Sequence, residues 1–260
     1  VDIPLLPVAQ FQVFLVVLAR VAGFVGAIPV LASAQTPGRI KTLLVLVTAL
    51  LLYPIMAKDI AQANFAPLAL LILLIAEVLV GMLMALTARL IFTAVEFGAS
   101  VVGFQMGFAS ANVYDPQGER QVELISQFQN VFAILIFLAI DGHHIFLRAV
   151  VHSYQLLPPG QFDVTGEAIP YLMKLASHMF IIGVQFSAPV LAVLLFSGLI
   201  LGILARVFPQ LNVFLLSFPL NIGIGFVVIA LTLNMISILI RREFDTLPER
   251  LATLLSYLAP

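Results

Sequence analysis

Three residues with metal-binding side chains fall within four positions: Asp141, His143 and His144. Carboxylate and imidazole groups are zinc-type ligands, but a metal site needs a closed set of them. No further ligand stands near this run, so it reads as a polar turn, with His144 and Arg148 on one helical face. No metal and no cofactor are expected. Five ionisable residues stand inside apolar segments: Arg20, Glu77, Arg89, Glu96 and Arg206. Such charges are costly at membrane depth, so they signal a substrate or proton pathway, or structural pairing. Arg89 and Glu96 are two helical turns apart and share a face. Glu77, Arg89, Glu96 and Arg206 form a candidate intramembrane polar network, in which acid and base neutralise each other or face another subunit. Neither a P-loop nor a helical His-Glu-x-x-His is present, so no catalytic residue is named and no enzyme activity is expected.

A second constellation is the run Gly103-Phe104-Gln105-Met106-Gly107-Phe108. Gly103 and Gly107 suit close helix packing of the small-xxx-small kind. Phe104, Met106 and Phe108 alternate with Gln105 and Gly107. Bulky, adaptable apolar side chains of this type can also close a pore by excluding water.

The elements that must position these residues are apolar throughout. Of 260 residues, 12 are basic and 13 acidic, and 62% are apolar. The mean hydropathy is +1.14. A soluble globule of this size could not hide that much apolar surface. A soluble enzyme and a disordered chain are excluded. A net charge of −1 offers nothing to a nucleic-acid backbone, and the lack of Cys excludes disulfides and thiolate metal sites.

Apolar segments run over 7–34, 43–57, 65–95, 97–109, 128–151, 178–205 and 207–240. They read as helices, since open sheet edges are not tolerated in lipid. The last segment is too long for one span of about 20 residues. It contains Pro219, Asn221, Gly223 and Gly225, so a helix break is predicted there. Charge supports that break. Arg39 and Lys41 mark a cytoplasmic loop under the positive-inside rule, and alternation leads Arg206 back inside. A hairpin broken at 219–225 would keep Arg241 and Arg242 inside as well. The tail after Arg241 reads as an amphipathic surface helix, with Phe244, Leu247, Leu251, Leu254, Leu255 and Leu258 at helical spacing. No secretory signal peptide is evident.

Blocks spread along the chain carry a family resemblance. They are Ala27-Ile28-Pro29-Val30-Leu31, Pro37-Gly38-Arg39-Ile40-Lys41, the 103–108 run, Asp115-Pro116 and Asp141-Gly142-His143. Further along come Leu157-Pro158, Ala188-Pro189-Val190, Ala205 to Phe214, and Phe218-Pro219-Leu220. At these blocks the chain resembles the FliR family of flagellar export-gate proteins, related to the T-type export subunits of virulence injectisomes. It departs from that family at Asp141, where Asn is frequent, and at Glu96, where the acid is more often near position 100.

The resemblance implies an all-α fold of membrane-inserted, kinked helical hairpins within a helical FliP–FliQ–FliR assembly. It implies a FliP-like part over 1–205, a FliQ-like broken hairpin over 206–240 and a cytoplasmic tail over 241–260. It implies a plug loop at about 103–118 that obstructs the closed channel beside a methionine ring supplied by FliP. Implied partners are FliP, FliQ, FlhB, unfolded flagellar subunits in transit and membrane lipid, with no nucleic acid. The implied location is the bacterial inner membrane, in the flagellar basal body, with the C-terminus in the cytoplasm. The competing readings are a secondary transporter or ion channel using Glu77, Arg89 and Glu96, and the equivalent injectisome subunit.

Overall fold

A computed structural model describes residues 8–27, 37–56, 65–108, 123–163, 166–210 and 212–259. Asp115-Pro116, part of the Ala27–Leu31 block and the plug loop beyond Phe108 lie outside the described residues. Among the described residues eight helices follow one another: α1 (Val8–Ala27), α2 (Gly38–Met56), α3 (Pro67–Gln105), α4 (Glu123–Ala139), α5 (Gly142–Leu156), α6 (Ala168–Val207), α7 (Val213–Asp245) and α8 (Leu247–Leu258). No strand occurs among the described residues. Among the described residues five segments are long and apolar enough to cross a membrane, and α4 with α5 would make a sixth if the pair formed one span. The chain is an all-α membrane protein.

Two apolar segments in the sequence, 65–95 and 97–109, are one helix. α3 runs 39 residues without interruption, about 58 Å at 1.5 Å per residue. Glu96 does not stop it, because the side chain is exposed on the helix surface.

The break expected at Pro219–Gly225 is not there. The chain reverses instead between α6 and α7, and α7 continues unbroken from Val213 through Pro219 to Asp245. The physical reason lies at its start. Asn212 Oδ1 accepts the Leu215 backbone N–H at 3.3 Å, an N-cap that fixes the helix origin. Pro219 then removes one backbone donor early in a helix held on one side by α6, a cost that packed membrane helices absorb. α6 and α7 run antiparallel from that turn: Ser197 Oγ donates to Asn221 Oδ1 at 3.0 Å, and His178 pairs with Glu243 at 3.3 Å. Arg206 stands at the turn end of α6 and Arg241 near the far end of α7, a helix about 50 Å long, so the two lie toward opposite ends of the hairpin. The charge argument for a shared side is lost with the break.

Contacts gather the chain into two compact units. One comprises Val1–Leu90, Asp141–Leu175 and Phe244–Pro260, and the other Ile91–Ile140 and Ala176–Glu243. In the first, α1 crosses α3 at two glycines. A Cβ on Gly23 would strike the Val78 carbonyl oxygen, and one on Gly81 the Arg20 carbonyl oxygen. The Gln12 side-chain amide ties the chain two positions before α3, exchanging two hydrogen bonds of 3.1 Å with the Phe65 backbone. α8 supplies the amphipathic tail read in the sequence: Leu247, Leu251, Leu254, Leu255 and Leu258 are all buried, and the Asp163 N–H donates to the Leu258 carbonyl. In the second unit, Gly98 of α3 meets Gly183 of α6, where an added Cβ would lie 2.6 Å from the Gly183 oxygen.

Candidate functional site

The first unit contains a buried ion pair. Arg20 is wholly buried and Glu77 nearly so. Arg20 Nε donates to Glu77 Oε2 at 2.5 Å and Nη2 to Oε1 at 3.1 Å. Nη1 donates to Ser153 Oγ at 3.2 Å and Nη2 also to the Leu157 carbonyl at 2.9 Å. The guanidinium carbon sits 4.1 Å from the Tyr154 ring centroid, where the face of the ring attracts a cation. Leu157 can accept because Pro158 follows it. The residue before a proline is pushed out of the helical region, so α5 ends at Leu156 and the Leu157 carbonyl is left for Arg20. Arginine suits this place, since its planar fork satisfies a carboxylate and two further acceptors together.

Of the polar network expected from sequence, only Glu77 is buried, and its partner is Arg20. Arg89, Glu96 and Arg206 are exposed on their helices. None of the three makes an ion pair among the described residues. Arg89 and Glu96 share a face of α3 but lie about 10 Å apart along it, too far for direct pairing.

The 103–108 run closes α3 in the second unit. Met106 N–H donates to the Val102 carbonyl at 2.9 Å and Gly107 N–H to the Phe104 carbonyl at 3.1 Å. Gly107 has φ 96°, a left-handed helix ending that suits glycine. This glycine is a terminator, whereas Gly103 is buried within the helix. The three bulky residues separate. Met106 is fully buried in a cluster with Ala99, Val102, Ile125, Val190, Leu194 and Ile229, and Phe108 packs on its edge. Phe104 is 66% exposed, and Gln105 beside it is exposed too. Of the four residues at the expected break, Gly225 receives this segment. A Cβ on Gly225 would lie 2.6–2.7 Å from the Met106 side chain, and one on Gly107 would lie 3.0 Å from the Phe218 ring. Gly225 is thus a notch for Met106. Asn221 is the Ser197 partner, Gly223 faces open space, and Pro219 lies within the helix.

Asp141, His143 and His144 do converge. Their ligand atoms lie within 4.8 Å of one another, and all three residues are exposed. They sit at the first turn of α5, where the partial positive charge of the helix N-terminus opposes a cation. Asp141 has φ 56° and ψ 33°, a left-handed conformation that Asp and Asn adopt more readily than other side chains. That accounts for either residue at this position without a chemical role.

Gly23 and Gly81 were the residues that sequence reasoning missed. A signal existed: a lone glycine inside an apolar helix forgoes about 1 kcal/mol relative to alanine, which points to close backbone approach.

Taken together these features define a multi-span, all-helical membrane protein. Its buried charges, Arg20 and Glu77, are paired with each other, and it carries a glycine-notched helix hairpin. The sequence matches the family of bacterial export proteins, family 1, over residues 11–247. It is 33% identical over 252 residues to flagellar biosynthetic protein FliR of Bacillus subtilis (strain 168), covering 95% of each chain. It is 28% identical over 242 residues to FliR of Escherichia coli (strain K12), covering 93% of this chain and 92% of that one. FliR of Pectobacterium carotovorum is 32% identical over 187 residues, 72% of each chain. The chain belongs to the bacterial export proteins, family 1, the family of FliR.

Proposed function

We propose that this chain is a non-catalytic subunit of the flagellar type III export gate, lining and plugging the channel that unfolded flagellar proteins cross. The observation that carries the reading is the end of α3 within a family match spanning residues 11–247. Met106 anchors the segment against Gly225, while Phe104 projects with 66% of its surface exposed. An anchored base with a free aromatic tip is what a water-excluding plug needs. The plug runs on to about 118.

The proposed partners are FliP, FliQ and FlhB. Their support is the apolar surface that the α6–α7 hairpin leaves uncovered: Phe196, Leu199, Ile203, Leu215, Val227 and Leu231 are exposed, and Gly198, Gly202 and Gly223 stand open beside them. So large an apolar face must meet lipid or other subunits. The proposed setting is the inner membrane at the flagellar basal body, with a cytoplasmic C-terminus now resting on the resemblance alone. In these terms 1–205 is the FliP-like part, 206–240 the FliQ-like part, which runs as one helix from Val213 onward rather than as a broken hairpin, and 241–260 the tail. No nucleic acid and no catalysis enter the proposal.

The test is conductance. The chain is purified with its FliP- and FliQ-like partners and placed in planar bilayers. Phe104→Ala should raise ion leak, and Met106→Ala should raise it by loosening the anchor. Unchanged conductance for both variants overturns the plug reading, and failure to co-purify with such partners overturns the subunit reading.

A further inference from the structure

Between α5 and α8, both in the first unit, lies a groove of about 300 Å³. Its walls are apolar: Ile145, Ala149 and Leu156 from α5 face Pro248, Leu251 and Leu255 from α8. Arg148 and His152 line the same groove and also a second, shallower hollow alongside it that reaches Gln155. His144, Arg148 and His152 recur every four positions, so they form one exposed stripe along α5. No acidic residue lines either hollow. Arg148 makes no ion pair among the described residues. His152 Nδ1 lies 3.1 Å from Gln155 Oε1, and among the described residues no carboxylate comes within ion-pair distance of it.

An exposed cation is ordinary where water can hydrate it. This one borders an apolar trough whose two walls belong to segments apolar enough to enter a membrane, the bent α4–α5 pair and Leu215–Leu258. There an unpaired guanidinium is costly unless an anion meets it. The matching ligand is amphipathic, with a negative phosphate at one end and an alkyl chain at the other. We infer that this groove binds one anionic phospholipid, its phosphate held by Arg148 and His152 and one acyl chain laid between Leu156 and Leu255. Arginine offers the forked donors that phosphate accepts, and a basic residue near a membrane surface favours anionic lipid. The inference does not depend on the plug.

The experiment uses the full chain, purified with its accompanying subunits in neutral detergent. Three probes are titrated separately: dioleoyl-phosphatidylglycerol, dioleoyl-phosphatidylcholine and inorganic phosphate. Native mass spectrometry reads the lipid carried, and the melting temperature reads its effect. The expected result is a retained phosphatidylglycerol that raises the melting temperature, with phosphatidylcholine weaker. Arg148→Gln should weaken retention about tenfold, in line with loss of a charged hydrogen bond. Ala252→Trp should abolish retention by filling the trough while leaving the rim intact and the lipid-free melt unchanged. Equal retention of phosphatidylcholine overturns the inference, as does equal protection by inorganic phosphate. So does full retention by both variants. A cross-link from Ala252→Cys to a neighbouring subunit, with no lipid carried, assigns the groove to that subunit and also overturns it.

Discussion

Removing the Glu77 carboxylate should destabilise the chain more than any exposed charge does. The guanidinium of Arg20 is wholly buried and directs two of its donors to this one side chain. Glu77→Ala leaves a buried cation with only the Ser153 hydroxyl and the Leu157 carbonyl. Breaking one side of a buried pair costs about 3–5 kcal/mol, and at this chain length that corresponds to a fall of about 6–20 °C in melting temperature. Glu77→Gln keeps an acceptor but not the charge, so it should lose about 1.5–3 kcal/mol. The informative comparison is the double replacement Arg20→Met with Glu77→Leu. Removing both charges should recover most of the loss, less about 1 kcal/mol for the Leu157 carbonyl deprived of its donor. The assay is thermal unfolding of the purified chain in detergent micelles, followed by size-exclusion profile. If Glu77→Ala melts within about 2 °C of the parent, or if the two single losses simply add, the pair is not what holds α1, α3 and α5 together.

Three further outcomes follow from other contacts. Gly225→Ala should evict Met106 and lower stability by about 1–3 kcal/mol, and adding Met106→Ala should restore part of it in a double-mutant melt. Gly81→Ala should lower the melting temperature through the α1–α3 crossing, whereas Gly223→Ala, facing open space, should not. Asp141→Asn should be neutral, while Asp141→Val should cost about 1–2 kcal/mol, because a β-branched residue resists the left-handed backbone; chemical denaturation of the purified chain reads both.

The helices were largely legible because apolar length is a local property. So was α8, whose leucines recur at helical spacing and are buried as that pattern requires. What was not legible was register between helices. Glu77 stood out as a buried acid, but Arg20 is 57 positions away, and periodicity within each helix says nothing about which turn faces which. Arg89 is nearer to Glu77 in sequence, yet it makes no ion pair among the described residues. Proline and glycine carried opposite ambiguities. Pro219 and Gly225 both weaken an isolated helix, yet inside a hairpin supported by α6 one is tolerated and the other makes room for Met106. The shape of the neighbour decides between a break and a notch, and that shape is not written in the residues themselves.

The first unit is drawn from three separated stretches of chain, and that has a consequence for synthesis. Arg20 and Glu77 can meet as soon as α3 emerges, but their companions Ser153 and Leu157 are translated 76 and 80 residues after Glu77. At about 5–20 residues per second the pair waits roughly 4–16 s in an unfinished pocket. α8 comes later than everything else in the unit, after the whole α6–α7 hairpin. A nascent chain of this design is a client for whatever holds helices beside the insertion machinery, and a ribosome stalled before α8 would release a unit without its last wall.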